Sequence, residues 1–134
     1  MIAAVSNRGL MRFRLYKGAL NVMIFIDFLK RLVKDAKQKV FLIVDNLRDH
    51  AKAVQDWLAR HNNEIEIFYL PAYAPEHNPD ENLNNELKQT IKNKPRAKTR
   101  DDLVATTSSI LKSIQRRPER VKSYFHAKHV RYAA

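Results

Sequence analysis

The sequence predicts an α/β fold built around a short parallel sheet, and three observations carry that expectation. Val40–Val44 is an unbroken run of five apolar residues that stops abruptly at Asp45. Such a run reads as a strand buried on both faces, as in a parallel sheet. A second strand, Glu64–Leu70, follows after an amphipathic stretch over about residues 51–61, which is strand–helix–strand spacing. Asp45 would then stand at the carboxyl end of a strand, where open α/β sheets place their ligands.

The remaining elements follow in order. Met1–Val5 and Met11–Tyr16 read as two strands around the turn Ser6-Asn-Arg-Gly9, and Lys17-Gly18 closes the hairpin. Period-two alternation puts Arg12 and Arg14 on one face and Met11, Phe13 and Leu15 on the other. Asn21 is the expected cap of a helix over about residues 22–36, with Val22, Phe25, Ile26, Leu29, Leu32, Val33 and Ala36 on one stripe. Asp27 falls elsewhere and reads as a solvated residue. In the second helix Val54, Trp57, Leu58 and His61 face inward, so Trp57 is core and not a base-stacking platform. The strand Glu64–Leu70 is polar at its entry and apolar towards its end. A Pro-rich turn leads to a helix from Asn78-Pro79, with Glu81 in its first turn and Leu83, Leu87 and Ile91 buried. Glu81, Asn85, Lys88 and Lys92 share a different face of that helix. Asn93–Lys98 is a break. Thr99-Arg-Asp-Asp102 resembles a capping box opening a helix that uses Leu103, Thr107, Ile110, Leu111 and Ile114. A last short helix starts at Pro118 with Val121, Tyr124 and Phe125 inward, and the tail to Ala134 is expected to fray.

The 134 residues make one domain at most, with 45% hydrophobic content for a core. The net charge of +11 points to a polyanionic partner. The charge is uneven: residues 1–45 hold 9 basic and 3 acidic groups, residues 46–81 hold 3 and 7, and residues 82–134 hold 13 and 4. An acidic centre between basic arms suits a metal site within a phosphate-binding surface, although an ordinary basic surface gives the same totals. No cysteine is present, which excludes disulfides and thiolate metal sites. No apolar stretch approaches the roughly 18 residues that span a bilayer. A soluble, intracellular protein is expected.

Thirty-five residues separate Asp45 from Glu81, enough to bring both acids to one sheet edge. Two hard carboxylates in a cysteine-free basic protein fit Mg²⁺ or Mn²⁺ better than zinc, and paired cations of that kind drive phosphodiester cleavage. From spacing alone the alternative stands beside this: Asp45 as a turn cap, and Glu81 as the reciprocal partner in an Asn78–Glu81 capping box. His50, near the proposed site, could contact phosphate or cap its loop.

Val44-Asp-Asn-Leu-Arg-Asp-His50, the Trp57 helix and Leu70-Pro-Ala-Tyr-Ala-Pro-Glu-His-Asn-Pro-Asp-Glu81 with Glu86-Leu-Lys88 closely resemble the catalytic domain of DDE transposases. The likeness is to the bacterial insertion-sequence branch of the mariner-like superfamily, and it extends back to Ala4–Gly9. It implies an RNase H-like mixed sheet flanked by helices, and metal-dependent DNA strand cleavage and strand transfer in transposition. Carried over, Asp45 is the second acid and Glu81 the third, both catalytic and metal-binding. Arg48, His50, Asn85, Lys88 and Lys92, with a basic helical region over about residues 99–126, would contact DNA. Ala74 stands where serine is usual and His77 where leucine is usual. Asp80 adjoins Glu81, but Glu81 holds the family's place after Asn-Pro-x.

The family's first aspartate and its strand, the central one of the sheet, have no counterpart here, nor does the usual helix-turn-helix region. Asn7, Asp27 and Asp49 are poor replacements by position. The chain is therefore expected to be the C-terminal part of a transposase, decayed or joined to an upstream frame, with a two-metal site only in the complete domain. The alternative is a non-catalytic nucleic-acid-binding or assembly remnant. An unrelated α/β protein ranks last. Without the central strand, the hairpin and the Val40–Val44 strand either pair directly or leave open edges for another chain. Homodimerisation, aggregation or association with a full-length transposase is then expected. Light scattering at high protein concentration checks this, and a monodisperse monomer would count against it.

Overall fold

The computed structural model describes residues 1–44, 52–70, 77–126 and 128–134. The chain divides into two compact units, Tyr16–Pro75 and a unit made of Met1–Leu15 with Glu76–Ala134.

In the second of these, β1 (Ile2–Val5) and β2 (Met11–Arg14) form an antiparallel hairpin with Ile2 opposite Arg14 and Val5 opposite Met11. At the turn the Gly9 amide donates to the Ser6 carbonyl at 3.0 Å, and the Leu10 amide donates to Ser6 Oγ at 3.1 Å. Gly9 has φ 88°, and a Cβ there would stand 2.6 Å from the Pro118 carbonyl oxygen. Backbone conformation and close approach both demand glycine.

Three α-helices are described in this unit: α3 (Asp80–Lys92), α4 (Arg100–Gln115) and α5 (Pro118–Ser123). Thr99 Oγ1 accepts from the Asp102 amide at 3.1 Å, so the threonine caps α4 as its sequence suggests. Met11, Leu83, Leu87, Ile110, Leu111, Ile114, Val121, Tyr124 and Phe125 form one buried cluster. Gln115 Nε2 donates to the Met11 carbonyl at 2.7 Å, which fastens the end of α4 to β2. Leu103 departs from the expected stripe and is 44% exposed. It lies in the first turn of α4, ahead of the stretch from Ile110 that enters the core. The tail also departs from expectation. Lys128–Ala133 forms a 3₁₀ helix that buries Val130, and the Tyr132 hydroxyl donates to the His77 carbonyl at 2.5 Å. Docking of a single valine and a hydroxyl leaves no periodicity for a sequence reading to detect.

The unit Tyr16–Pro75 contains α1 (Val22–Asp35), β3 (Val40–Val44), α2 (Lys52–Arg60) and β4 (Ile65–Tyr69). Asn21 Oδ1 accepts from the Ile24 amide at 2.9 Å and caps α1 as expected. Phe28 joins Phe25 and Leu29 as the buried residues of α1, a rotation of the stripe towards a side chain its pattern omits. In α2, Val54 and Trp57 are buried. His61, just past the helix, stacks on Trp57 with ring centroids 4.2 Å apart and donates Nδ1–H to the Trp57 carbonyl at 2.7 Å. The stack and the hydrogen bond account for His61 without a ligand.

β3 and β4 pair in parallel, Val40 beside Ile65 and Val44 beside Tyr69. Parallel pairing is as predicted, but burial on both faces is not: Phe41 is 63% exposed. Phe41 and Ile43 share a face with Glu66 and Phe68, and the two phenylalanine rings lie 6.4 Å apart on it. Lys39 Nζ pairs with Glu66 at 3.2 Å and sits over the Phe41 ring. In β4 the burial order is the reverse of the polarity order, with Ile65 buried and Phe68 and Tyr69 exposed. The described strands form two two-stranded sheets, one in each unit.

Leu111→Ala is expected to lower the unfolding free energy by about 2–5 kcal/mol. Gly9→Ala should cost more than about 1 kcal/mol, because alanine resists the left-handed backbone. Urea denaturation followed by circular dichroism measures both.

Candidate functional site

Helix α3 carries the described part of the candidate site, and its sequence divides it into three stripes at about 100° per residue. Leu83 and Leu87 are buried, and Ile91 packs partly against the same cluster. On the opposite side lie Glu81, Asn85, Lys88 and Lys92, at successive helical spacings; the first is half-buried and the other three are exposed. Between the two stripes run Asn82 and Glu86.

This intermediate stripe holds the helix in place. Asn82 Nδ2 donates to the Tyr124 carbonyl at 2.8 Å. Glu86 accepts from Arg120 Nε at 2.5 Å through one oxygen and from the Tyr124 hydroxyl through the other. The Arg120 guanidinium also lies 6.0 Å from the Tyr124 ring centroid. Burial, and then the hydrogen bond to the Glu86 carboxylate, push the Tyr124 phenol well above its ordinary value. The same carboxylate raises the Arg120 guanidinium, which stays charged. Sequence reasoning placed Tyr124 inward but missed Glu86 and Arg120. Their only signal was that Glu86 lies off both the apolar and the basic stripes.

The start of α3 bears on the capping alternative. Asn78 Oδ1 accepts from the Asp80 amide at 3.0 Å, and the Asn78 carbonyl accepts from the Glu81 amide at 3.0 Å. The Glu81 carboxylate takes no hydrogen bond or ion pair from a described residue. The reciprocal half of a capping box is therefore missing, and this half-buried carboxylate is open to a ligand. Its position in the first turn favours negative charge through the helix dipole.

Asp45, Arg48 and His50 lie outside the described residues, as do Asp49 and Ala74. Among the described residues no group of three His, Asp or Glu side chains could hold a metal ion. The donor chemistry that is present, carboxylate oxygen without thiolate, fits a hard divalent cation. No described helix is long and apolar enough to cross a membrane.

The antiparallel hairpin, the parallel β3–β4 pair and the helices are consistent with an RNase H-like α/β domain, with an oxygen-donor acid at the head of α3. The chain belongs to the DDE superfamily endonucleases, whose family model matches residues 1–104. That membership makes it a transposase-type nuclease domain with DNA as its general substrate, in a family that generally uses divalent metals. No curated protein and no solved structure gives a significant match.

Because the folded-state pKa of Tyr124 is raised, its contribution to stability is complete below the unfolded value of about 10 and is lost as pH rises beyond it. Tyr124→Phe should flatten this alkaline loss and destabilise the protein by about 1 kcal/mol at neutral pH. Urea midpoints measured across pH test this. Identical alkaline slopes in both proteins would contradict the coupling.

Proposed function

We propose that this chain contributes Asp45 and Glu81 to the metal-dependent DNA cleavage and strand-transfer site of an insertion-sequence transposase of the bacterial mariner-like branch. The observation that carries this is the Glu81 carboxylate, half-buried and without a described partner; its place after Asn78-Pro79-Asp80 supports the same reading through the sequence resemblance. Mg²⁺ or Mn²⁺ bound there would activate the attacking oxygen and neutralise charge on the leaving oxygen. Asp45 and Glu81 would hold the ions. Asn85, Lys88 and Lys92 continue along the exposed face of α3 and would hold DNA phosphates, as would Arg48 and His50 from the loop after β3. The family's first acid would be supplied by a further segment or by a second chain. The working form would then be a homodimer or an assembly with a full-length transposase, at the nucleoid of a bacterial cytoplasm.

A second role, in non-catalytic DNA binding or transposase assembly, is supported by the exposed cations that follow Glu86. Supercoiled-plasmid nicking with Mg²⁺ or Mn²⁺ separates the two, using the chain joined to its upstream sequence or mixed with full-length transposase. Catalysis predicts nicking that falls to background in Asp45→Asn and in Glu81→Gln. Nicking that survives both substitutions would remove these acids from the site. Salt-dependent binding with no nicking in any form would leave the non-catalytic role.

A further inference from the structure

Beyond Lys92 the chain reads Lys-Asn-Lys-Pro-Arg-Ala-Lys-Thr-Arg100, a cation at every second position. No acidic residue occurs between Glu86 and Asp101, and every residue from 92 to 100 is exposed. Lys92, Lys94, Arg96, Lys98 and Arg100 form no ion pair with a described residue, whereas Arg120 in the same unit is held by Glu86. Five like charges crowded without counter-charge repel one another, so they do not serve the fold. The loop itself is anchored. The Asn93 amide donates to the Gln89 carbonyl at the end of α3, and Thr99 caps α4. Pro95 fixes its own φ and biases Lys94 towards extended backbone.

We propose that this α3–α4 loop is a contact surface for the phosphate backbone of duplex DNA, continuing the track that starts at Glu81. The proposal rests on Glu81 marking the cleavage site. Lys92 lies eleven residues along the helix from Glu81, roughly 16 Å at 1.5 Å per residue. At 3.4 Å per base pair that is about five base pairs from the cut. The segment from Asn82 to Ser123 contains no aromatic residue, so it offers no platform for stacking unpaired bases. Lysine and arginine heads contact phosphates without regard to sequence, and each contact releases counterions.

Fluorescence anisotropy with a random-sequence duplex, titrated with salt, tests the assignment. The variant is Lys94→Gln/Arg96→Gln/Lys98→Gln. The control is Lys30→Gln/Lys34→Gln/Lys37→Gln, which removes the same charge from exposed positions in the other unit. Loss of three phosphate contacts should lower the slope of log K against log salt by roughly 2.7, at about 0.9 per contact. The control should change the slope by less than about 1. Equal slopes for the two triple variants would overturn the loop assignment, as would a larger loss on a single-stranded oligonucleotide than on the duplex. If that happens while nicking still depends on Glu81, only the loop assignment falls. Absence of salt-dependent DNA binding by the unsubstituted chain would remove the DNA role proposed for α3 as well.

Discussion

The burial of Leu83 and Leu87 is the constraint on which the candidate site depends. These two leucines, four residues apart, drive one stripe of α3 into the cluster formed with Met11, Ile110, Leu111 and Ile114. Burying one side of a helix fixes where every other side points. The stripe carrying Glu81, Asn85, Lys88 and Lys92 is therefore turned away from the core, an acid at its head and cations at its end. Rotation is further restricted by the Glu86 carboxylate, which takes donors from both Arg120 and Tyr124. The energetic content of this lock lies in its satisfaction: a half-buried carboxylate with two donors is tolerated, whereas the same group without them would favour water.

The two glutamates five residues apart on α3 thus have opposite fates. Glu86 is consumed by the fold, while Glu81 is held in the first turn with no described partner. The cations divide in the same way. Arg120 is tied to Glu86, whereas those from Lys88 to Arg100 are exposed and unpaired among the described residues. Charge that the fold does not use is charge available to a phosphate backbone. The proposed DNA contact rests on this division more than on the total of +11.

The sheets show the other side of the architecture. A parallel pair of two strands has few hydrogen bonds of its own and normally lies within a larger, doubly covered sheet. β3 and β4 keep the parallel register and the hydrophobic composition of such a sheet, yet Phe41 and Phe68 are exposed on one face. Among the described residues, the hairpin and the β3–β4 pair each retain unpaired strand edges. Open edges of this kind invite a further strand.

Much of this was legible in the chain because it is local. Capping by Asn21 and Thr99, the proline opening of α5 and the strand limits of Val40–Val44 follow from interactions within a few residues. The motif around Glu81 carried the family, and the family model agrees over residues 1–104. Asp45, the other half of the predicted site, lies outside the described residues. What the tertiary structure decided was how side chains of similar composition are used. It turned Phe41 outward and Phe28 inward, seated the tail through Val130, gave Glu86 to Arg120 and Tyr124, and left Glu81 open. Those outcomes depend on contacts between residues tens of positions apart, such as the 38 between Glu86 and Tyr124. Periodicity records which residues can be buried, and only the packing partner determines which of them are.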